Sequence, residues 1–418
     1  MKLEVLNEKD YKEFALKNPY MSIYQLPEWG QLKEINGWKP HLVGLYDNKK
    51  LKGVTLLLEK NTQIKKSLYY APRGYLLDVF DYELLSEFHK QVVKYVKEHK
   101  GFMLKVDPNV IYALHDQNGN LKETVGKEAY DNFIKLGFKH LGFNKNFETL
   151  QPRYLCRFKL QKTYEETLDS FNKSCKKHIL ESKTRGIHVD EIEVSQIEEF
   201  TDILRKTGQE KDFIIRPTSY YEKMYSLMRD YMKLYIVSVN TKEYVEDVQE
   251  LLNDAKISLE ELETEMKKVN VGAKLERKKQ ELENKIHNLE NELEDAKKLN
   301  KEHKMVDIGA LMSIFMGNEG ITFMSGTISE YKHLYPKYAY YNKHIEDSLK
   351  LKKEYVNFYG ISGDMDKNSP YYNIYEIKKG FNPEIVELIG EFDYIINKFD
   401  YFLYKVALKV YKLLKKRS

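Results

Sequence analysis

Arg216 stands before Pro217 and close to the pair Tyr220–Tyr221 in the stretch FIIRPTSYY (213–221). A guanidinium in that setting suits bidentate recognition of a phosphate. The same group serves as well as a structural partner for a carboxylate. Asp107 ends a strand-like run in LKVDPNV (104–110), where a side chain either faces a cleft or caps the turn before Pro108. Two further short segments are rich in aromatic and basic residues. YQLPEWGQLKEINGW (24–38) holds Lys33 and Trp38, and YYAPRGYLLD (69–78) holds Arg73 and Gly74 at a turn after a strand. KSCKKHILESKTRG (173–186) reads as a basic helix. No phosphate loop, zinc signature or dinucleotide fingerprint occurs, so neither a metal nor a cofactor is expected. Cys156, in the strand-like YLCRFKL, and Cys175, in the basic helix, supply no disulfide framework and no metal-ligand spacing. No histidine is spaced as the base of a nucleophile. Function therefore has to be carried by the basic and aromatic residues of these short segments.

Positioning those segments falls to a chain of 418 residues, long enough for two ordinary domains plus an extension. Its 42% hydrophobic content can build sizeable cores, and its 32% charged residues keep it soluble. The extension is the clearest element. Val248, Leu252, Ala255, Leu259, Leu262, Met266 and Val269 recur at alternating spacings of four and three. After a polar turn around Gly272, the residues Leu275, Leu282, Ile286, Leu289, Leu293 and Ala296 recover the register. That pattern predicts an antiparallel two-helix coiled coil over 242–304. With roughly 25 residues per helix it projects about 40 Å at 1.5 Å per residue.

The remainder shows a repeat. KPHLVGLYDNKKLKGVTLLLE (39–59) and ALMSIFMGNEGITFMSGT (310–327) both read as hairpins. Each is followed by an amphipathic helix, 82–99 and 341–353, then by a strand, 101–110 and 354–363. NFIKLGF (132–138) and YEIKKGF (375–381) come next. Two copies of one mixed α/β unit are expected. The boundaries are 1–146 for the first unit and 147–241 with 305–392 for the second, which the arm interrupts. Residues 393–418 form an amphipathic C-terminal helix. Its apolar face is Ile395, Phe399, Phe402, Leu403, Val406, Val410, Leu413 and Leu414. From Lys398 onward seven basic residues face one acid, Asp400. Such a helix either packs on the body or rests on an anionic membrane surface. The N-terminal MKLEVLNEKDYKEF lacks the character of a secretion signal. The longest apolar runs, VTLLL and ALMSIFM, are too short to span a bilayer. The expected location is the cytoplasm, with peripheral contact at the inner face of the plasma membrane as the alternative for the tail.

The four segments, the arm and YEIKKGF, taken in order, resemble the Fem family of peptidoglycan aminoacyltransferases, which includes the MurM-type enzymes. The resemblance covers essentially the whole chain. It implies two acetyltransferase-like subdomains, the second interrupted by an arm like that of seryl-tRNA synthetase. The usual glycine-rich coenzyme A turn, R/Q-x-x-G-x-G/A, is missing, so an acyl-CoA donor is not expected. The implied reaction joins an amino acid carried on tRNA to a stem-peptide amine of lipid II or a UDP-linked muropeptide, in building an interpeptide bridge. Its chemistry asks for alignment of an activated ester with an amine and for stabilisation of oxyanion charge. Two other readings stay open: an aminoacyl-tRNA–protein transferase, and a non-catalytic coiled-coil adaptor of a membrane-associated wall-synthesis complex.

The resemblance also implies roles for single residues. Lys33, closing the pattern Gln25–Trp29–Lys33, falls where the family binds acceptor phosphate, with Trp38 either flanking it or packing in the core. Arg216 and Tyr220 belong to the same acceptor site, and Arg73 matches a segment near it. Asp107 matches an aspartate considered as a general base. Lys378 of YEIKKGF matches a lysine that faces the aminoacyl ester, although Ile377 stands where the family often has phenylalanine. Lys176, Lys177 and Lys183 lie where tRNA phosphates are expected.

Overall fold

The computed structural model describes residues 1–211, 213–268 and 272–415, with side chains up to Val410. The seam residue Val269, the side chains of Lys412, Leu413, Leu414 and Lys415, and residues Lys416 and Arg417 lie outside the described residues.

Two mixed sheets form the body. The first runs in the order Lys2–Val5, Lys39–Asp47, Lys50–Asn61, Ser67–Ala71, Gly101–Val106, Phe392–Ile395, Lys139–His140. All neighbours are antiparallel except Ser67–Ala71 and Gly101–Val106. The helix Tyr82–Glu98 makes that parallel crossover. Asp81 caps it by accepting from the Leu84 N–H at 3.0 Å, and Leu85, Phe88, Val92 and Val96 form its buried stripe.

The second sheet has nine strands, with Met232–Asn240, Met305–Met316, Glu319–Thr327, Tyr355–Ile361 and Tyr154–Lys159 at its centre. It too has one parallel pair, Glu319–Thr327 with Tyr355–Ile361, joined through the helix Pro336–Lys350. Here the pairing holds only from Glu319↔Tyr355 to Ile321↔Asn357. Beyond Ile321 the two strands part. Phe323 is an extra residue in its strand, because Met312 pairs with Met324 and Ser313 with Thr322. Across the gap, the register with Tyr154–Lys159 breaks between Asn357 and Gly360, and Tyr359 sits at φ 61°. Bulges of this kind re-aim side chains next to functional sites.

The parallel strands correct the alignment of the repeat. In the first sheet the strand parallel to the one after the helix is Ser67–Ala71, one strand later than the hairpin read from the sequence. The hairpin Lys39–Asp47/Lys50–Asn61 therefore corresponds to Met232–Asn240/Met305–Met316. The arm replaces the two-residue turn Asn48–Lys49. Its helices, Thr241–Met266 and Ala273–Glu302, leave and re-enter a hairpin whose ends stay paired at Asn240↔Met305. Asn240 caps the outgoing helix by accepting from the N–H groups of Lys242 and Glu243. Val248, Leu252, Ala255, Leu262, Leu289, Leu293 and Ala296 are buried along the seam. Lys256–Glu290 at 2.8 Å and Lys279–Glu263 at 2.7 Å tie its flanks.

Three strands cross the boundaries expected from the sequence. Ile111–His115 and Leu121–Thr124 extend the second sheet, and Phe392–Ile395 returns to the first. The two sheets also share a core. Leu56 and Leu58 of the first and Ile236, Met312 and Ile314 of the second pack on the helices Pro27–Glu34, Ile197–Glu210 and Thr218–Met228. Side chains from both halves are thereby held in one frame.

Candidate active site

The segment 24–38 turns into the short helix Pro27–Glu34, with proline at its first position, where no N–H is needed. Its four-residue spacing sets Lys33 on Trp29, the ammonium 4.1 Å from the ring centroid. From the helix Thr218–Met228 comes Tyr220, whose hydroxyl accepts from Lys33 Nζ at 3.1 Å. The exposed guanidinium of Arg216 lies 5.9 Å from the Tyr220 ring centroid. Lys33 is thus brought beside Arg216 and Tyr220, residues 183 and 187 positions further along the chain. Burial lowers the Lys33 ammonium to about 8, and the like charge of Arg216 pushes the same way. Among the described residues no carboxylate pairs with either cation. Two cations without an acid, with one sacrificing basicity, form a site that an anion would complete. Trp38 is not part of it. Its backbone N–H donates to the Lys33 carbonyl at 3.2 Å, while its ring packs on the core near Lys60. Trp29 holds the place expected for Trp38.

From Trp29 an aromatic wall leads inward. Tyr24 meets Trp29 edge-on, their centroids 4.5 Å apart, and shares a 2.5 Å hydrogen bond with Tyr359. Tyr359 and Phe323, the two residues displaced by the strand irregularities, face each other at 5.6 Å. Both line a cavity of about 280 Å³ in the gap between the parting strands. Lys378 lies in this cavity, on the helix Tyr372–Lys379. It is buried, and its ammonium donates to the Phe358 carbonyl at 2.7 Å and the Gly360 carbonyl at 2.8 Å. Burial lowers it to about 8. An ammonium has three N–H donors, so one remains uncommitted. Ile377 lines the cavity as well. Lys135, at the matching position of NFIKLGF, is exposed with its ammonium 3.6 Å from the Tyr82 ring centroid.

Arg73 and Asp107 form a buried pair behind the wall. Asp107 accepts from the Arg73 backbone N–H at 2.8 Å, and the Arg73 guanidinium lies 3.9 Å from its other oxygen. Arg73 also donates to the Pro152 carbonyl at 2.6 Å. Asp107 does not line the cavity, and its carboxylate holds the left-handed turn at Arg73 (φ 55°). Burial pushes it up to about 6 against the pull of Arg73. The expectation of a general base is corrected to that of a structural carboxylate. Arg73, buried and held by the Pro152 carbonyl and Asp107, is likewise a support for Tyr24 and Tyr359, whose hydroxyls feel its charge.

The basic helix forms over Lys173–Glu181, with Cys175 and Ile179 buried. Lys176 pairs with Asp169, Lys177 with Glu181 at 3.7 Å, and Lys183 with Glu346 at 3.3 Å over the Tyr164 ring. These surface pairs are weak and do not prevent exchange for a phosphate. Both thiols are buried, and burial pushes Cys156 up to about 12, leaving it unreactive. Among the described residues no cluster of three or more histidine, cysteine or acidic side chains is placed to hold a metal.

Lys337 was not singled out in the sequence. It follows Pro336 at the start of the helix Pro336–Lys350 and lines the same cavity as Lys378, together with Lys211. The proline-lysine start after a long hairpin was the available signal.

Comparison with known proteins fits this geometry. The chain is 28% identical over 397 residues to aminoacyltransferase FemA of Staphylococcus epidermidis, covering 94% of this chain and 95% of that protein. It is 25% identical over 407 residues to the lipid II:glycine glycyltransferase of Staphylococcus aureus, covering 94% and 93%. The crystal structure of FemX has the same fold, with a TM-score of 0.77 at 24% identity over 96% of this chain and 99% of that one. The FemAB family model spans residues 6–409. The chain belongs to the FemAB family of aminoacyltransferases.

Proposed function

We propose that this enzyme moves an amino acid from aminoacyl-tRNA to the stem-peptide amine of lipid II, or of the corresponding UDP-linked muropeptide, during synthesis of the interpeptide bridge. The observation that carries this reading is the pairing of two cationic sites across the Tyr24–Tyr359 wall. Lys33 and Arg216 suit the acceptor diphosphate, and the lysine-lined cavity suits the aminoacyl ester. The named activities of the relatives support it, one of them a lipid II glycyltransferase. Aminoacyltransferase membership leaves no room for the non-catalytic adaptor.

In the reaction the neutral acceptor amine attacks the ester carbonyl, and a C–N bond forms as the C–O bond to the ribose breaks. The amine loses a proton and the ribose oxygen gains one. Negative charge builds first on the carbonyl oxygen and then on the ribose oxygen. A fixed ammonium with one free N–H, as at Lys378, stabilises both. Incubating the protein with lipid II and tRNA pools charged with one amino acid at a time should enlarge the precursor by one residue with a single pool. Transfer to proteins with the precursor left unchanged would overturn the proposal in favour of a protein transferase.

The tail bears on where the enzyme works. Among the described residues no helix is long and apolar enough to cross a membrane. Lys398–Lys415 packs on the first sheet through Tyr404 against Phe102, 5.2 Å apart. Phe399, Phe402, Leu403, Val406 and Val410, spaced along one face, are exposed. With the basic flanks, we infer a peripheral contact with an anionic bilayer, where a lipid-linked acceptor is presented. Phe402→Ser with Val406→Ser should reduce flotation with anionic vesicles severalfold at unchanged melting temperature. Unchanged flotation removes the membrane role.

A further inference from the structure

The cavity between the parting strands holds more positive charge than oxyanion stabilisation requires. Among the described residues, Lys211, Lys337 and Lys378 line it and no carboxylate does. Lys378, fixed by the Phe358 and Gly360 carbonyls, has a single N–H left, the one assigned to the oxyanion. Lys337 belongs to a different element, the first turn of the fifteen-residue helix Pro336–Lys350. Proline begins that helix, and Tyr335, in the left-handed region, offers no side-chain cap, so its amide end lacks a side-chain acceptor. A helix start of this kind favours an anion. An independent observation points to a ligand at the same place. Tyr340, one turn further along, is fully buried and lines the cavity; its hydroxyl makes no hydrogen bond of ordinary length among the described residues and has only the looser polar neighbours Ser325 and Tyr341. Burial and the neighbouring Lys211 lower the Lys337 ammonium to about 8, the state of a cation awaiting a counter-charge.

We propose that Lys337 is a positioning residue that receives the phosphodiester of the donor's terminal nucleotide, so that Lys378 meets the ester carbonyl. The inference rests on the aminoacyl-tRNA reading above and adds to it a separate phosphate subsite in the same cavity. A division of labour follows. Lys337 anchors a charge present throughout the reaction, whereas Lys378 acts on a charge that appears only as the amine attacks. The amino acid and its ribose are then placed between the two lysines.

Calorimetry with adenosine 5′-monophosphate and with adenosine tests the subsite without any turnover. The full-length protein should bind the monophosphate about tenfold more tightly, as expected for one charge-assisted contact. Lys337→Gln should lose that preference while still binding adenosine equally, and Lys337→Arg should restore most of it. In parallel, Lys337→Gln should raise KM for an aminoacyl-adenosine 5′-phosphate about tenfold and leave aminoacyl-adenosine unaffected. No preference in the native protein, or a preference that survives Lys337→Gln, overturns the subsite. Equal loss with both nucleosides, or a lowered melting temperature in Lys337→Gln with no rescue by arginine, assigns Lys337 to the scaffold and overturns it too. A Lys337-dependent preference without aminoacyl transfer to any precursor leaves the phosphate subsite standing and sinks the proposed reaction instead.

Discussion

Lys378→Ala should lower kcat about a hundredfold at saturating substrates, the equivalent of roughly 3 kcal/mol of transition-state stabilisation. The expectation rests on how the ammonium is held. Two carbonyls at the irregular stretch of Tyr355–Ile361 fix it, so it needs no reorganisation when charge develops. The acceptor KM should stay within about twofold, because the interaction exists only in the transition state. Some stability is lost as well. Two carbonyls lose their donor, at about 1 kcal/mol each, so rates belong well below the melting transition. The pH profile carries a second signature. Lys378 acts as a cation, and burial places its titration near 8. Its contribution is present below that pH and lost above it, while the acceptor amine gains reactivity as pH rises. The native enzyme should show a bell with its alkaline limb near 8, and Lys378→Ala should lack that limb. Lys135→Ala, removing an exposed cation over Tyr82, should leave both kcat and the profile as they are. Matching, mild losses in the two variants would place Lys378 in the scaffold.

That contrast marks the limit of what the sequence discloses. NFIKLGF and YEIKKGF are nearly interchangeable as strings, yet one lysine points to solvent and the other is buried on two carbonyls. The difference lies in the break in Tyr355–Ile361, which depends on Tyr154–Lys159 pairing from the far side. No local pattern encodes it. The arm was legible because a seam of apolar residues at fours and threes has one cheap solution, a paired helix. The repeat was legible in kind but one strand out of register, because the five residues Ser67–Ala71 were too short to stand out from the segment around them. Phe392–Ile395, four residues long, pairs with strands about 290 and about 250 positions earlier, contacts no periodicity announces. Trp29 is a different case. Its four-residue offset from Lys33 on a helix was visible, and helical geometry favours it over Trp38, which lies past the helix end. Asp107 was judged by position at a strand end. Whether such a carboxylate meets substrate or a neighbouring arginine is decided by the turn at Arg73, which only the folded chain displays.

Arg216→Ala and Lys33→Ala should each raise the acceptor KM by about ten- to a hundredfold, with the tRNA KM unchanged. A hydrogen bond to a charged group contributes about 1.5–3 kcal/mol, which spans that range. kcat should move little, since diphosphate contacts persist from ground state to transition state. The double variant should lose less than the product of the single effects, because both cations act on one dianionic group and Tyr220 links them. Ionic strength offers an independent check. Arg216 is exposed and Lys33 half-buried, so added salt should weaken the native acceptor KM chiefly through Arg216. Arg216→Ala should then flatten the salt dependence more than Lys33→Ala does. Lys33 in turn should govern pH. Free, it titrates near 8 because burial and Arg216 disfavour its charge. A bound diphosphate reverses that balance and raises the titration, so acceptor binding above pH 8 takes up a proton and the acceptor KM climbs. In Arg216→Ala the repulsion is gone and the climb should begin at higher pH. In Lys33→Ala it should be absent. A tRNA KM that rises in step with the acceptor KM, or an acceptor KM blind to pH in the native enzyme, would mean that this pair of cations serves the fold and that the diphosphate is held elsewhere.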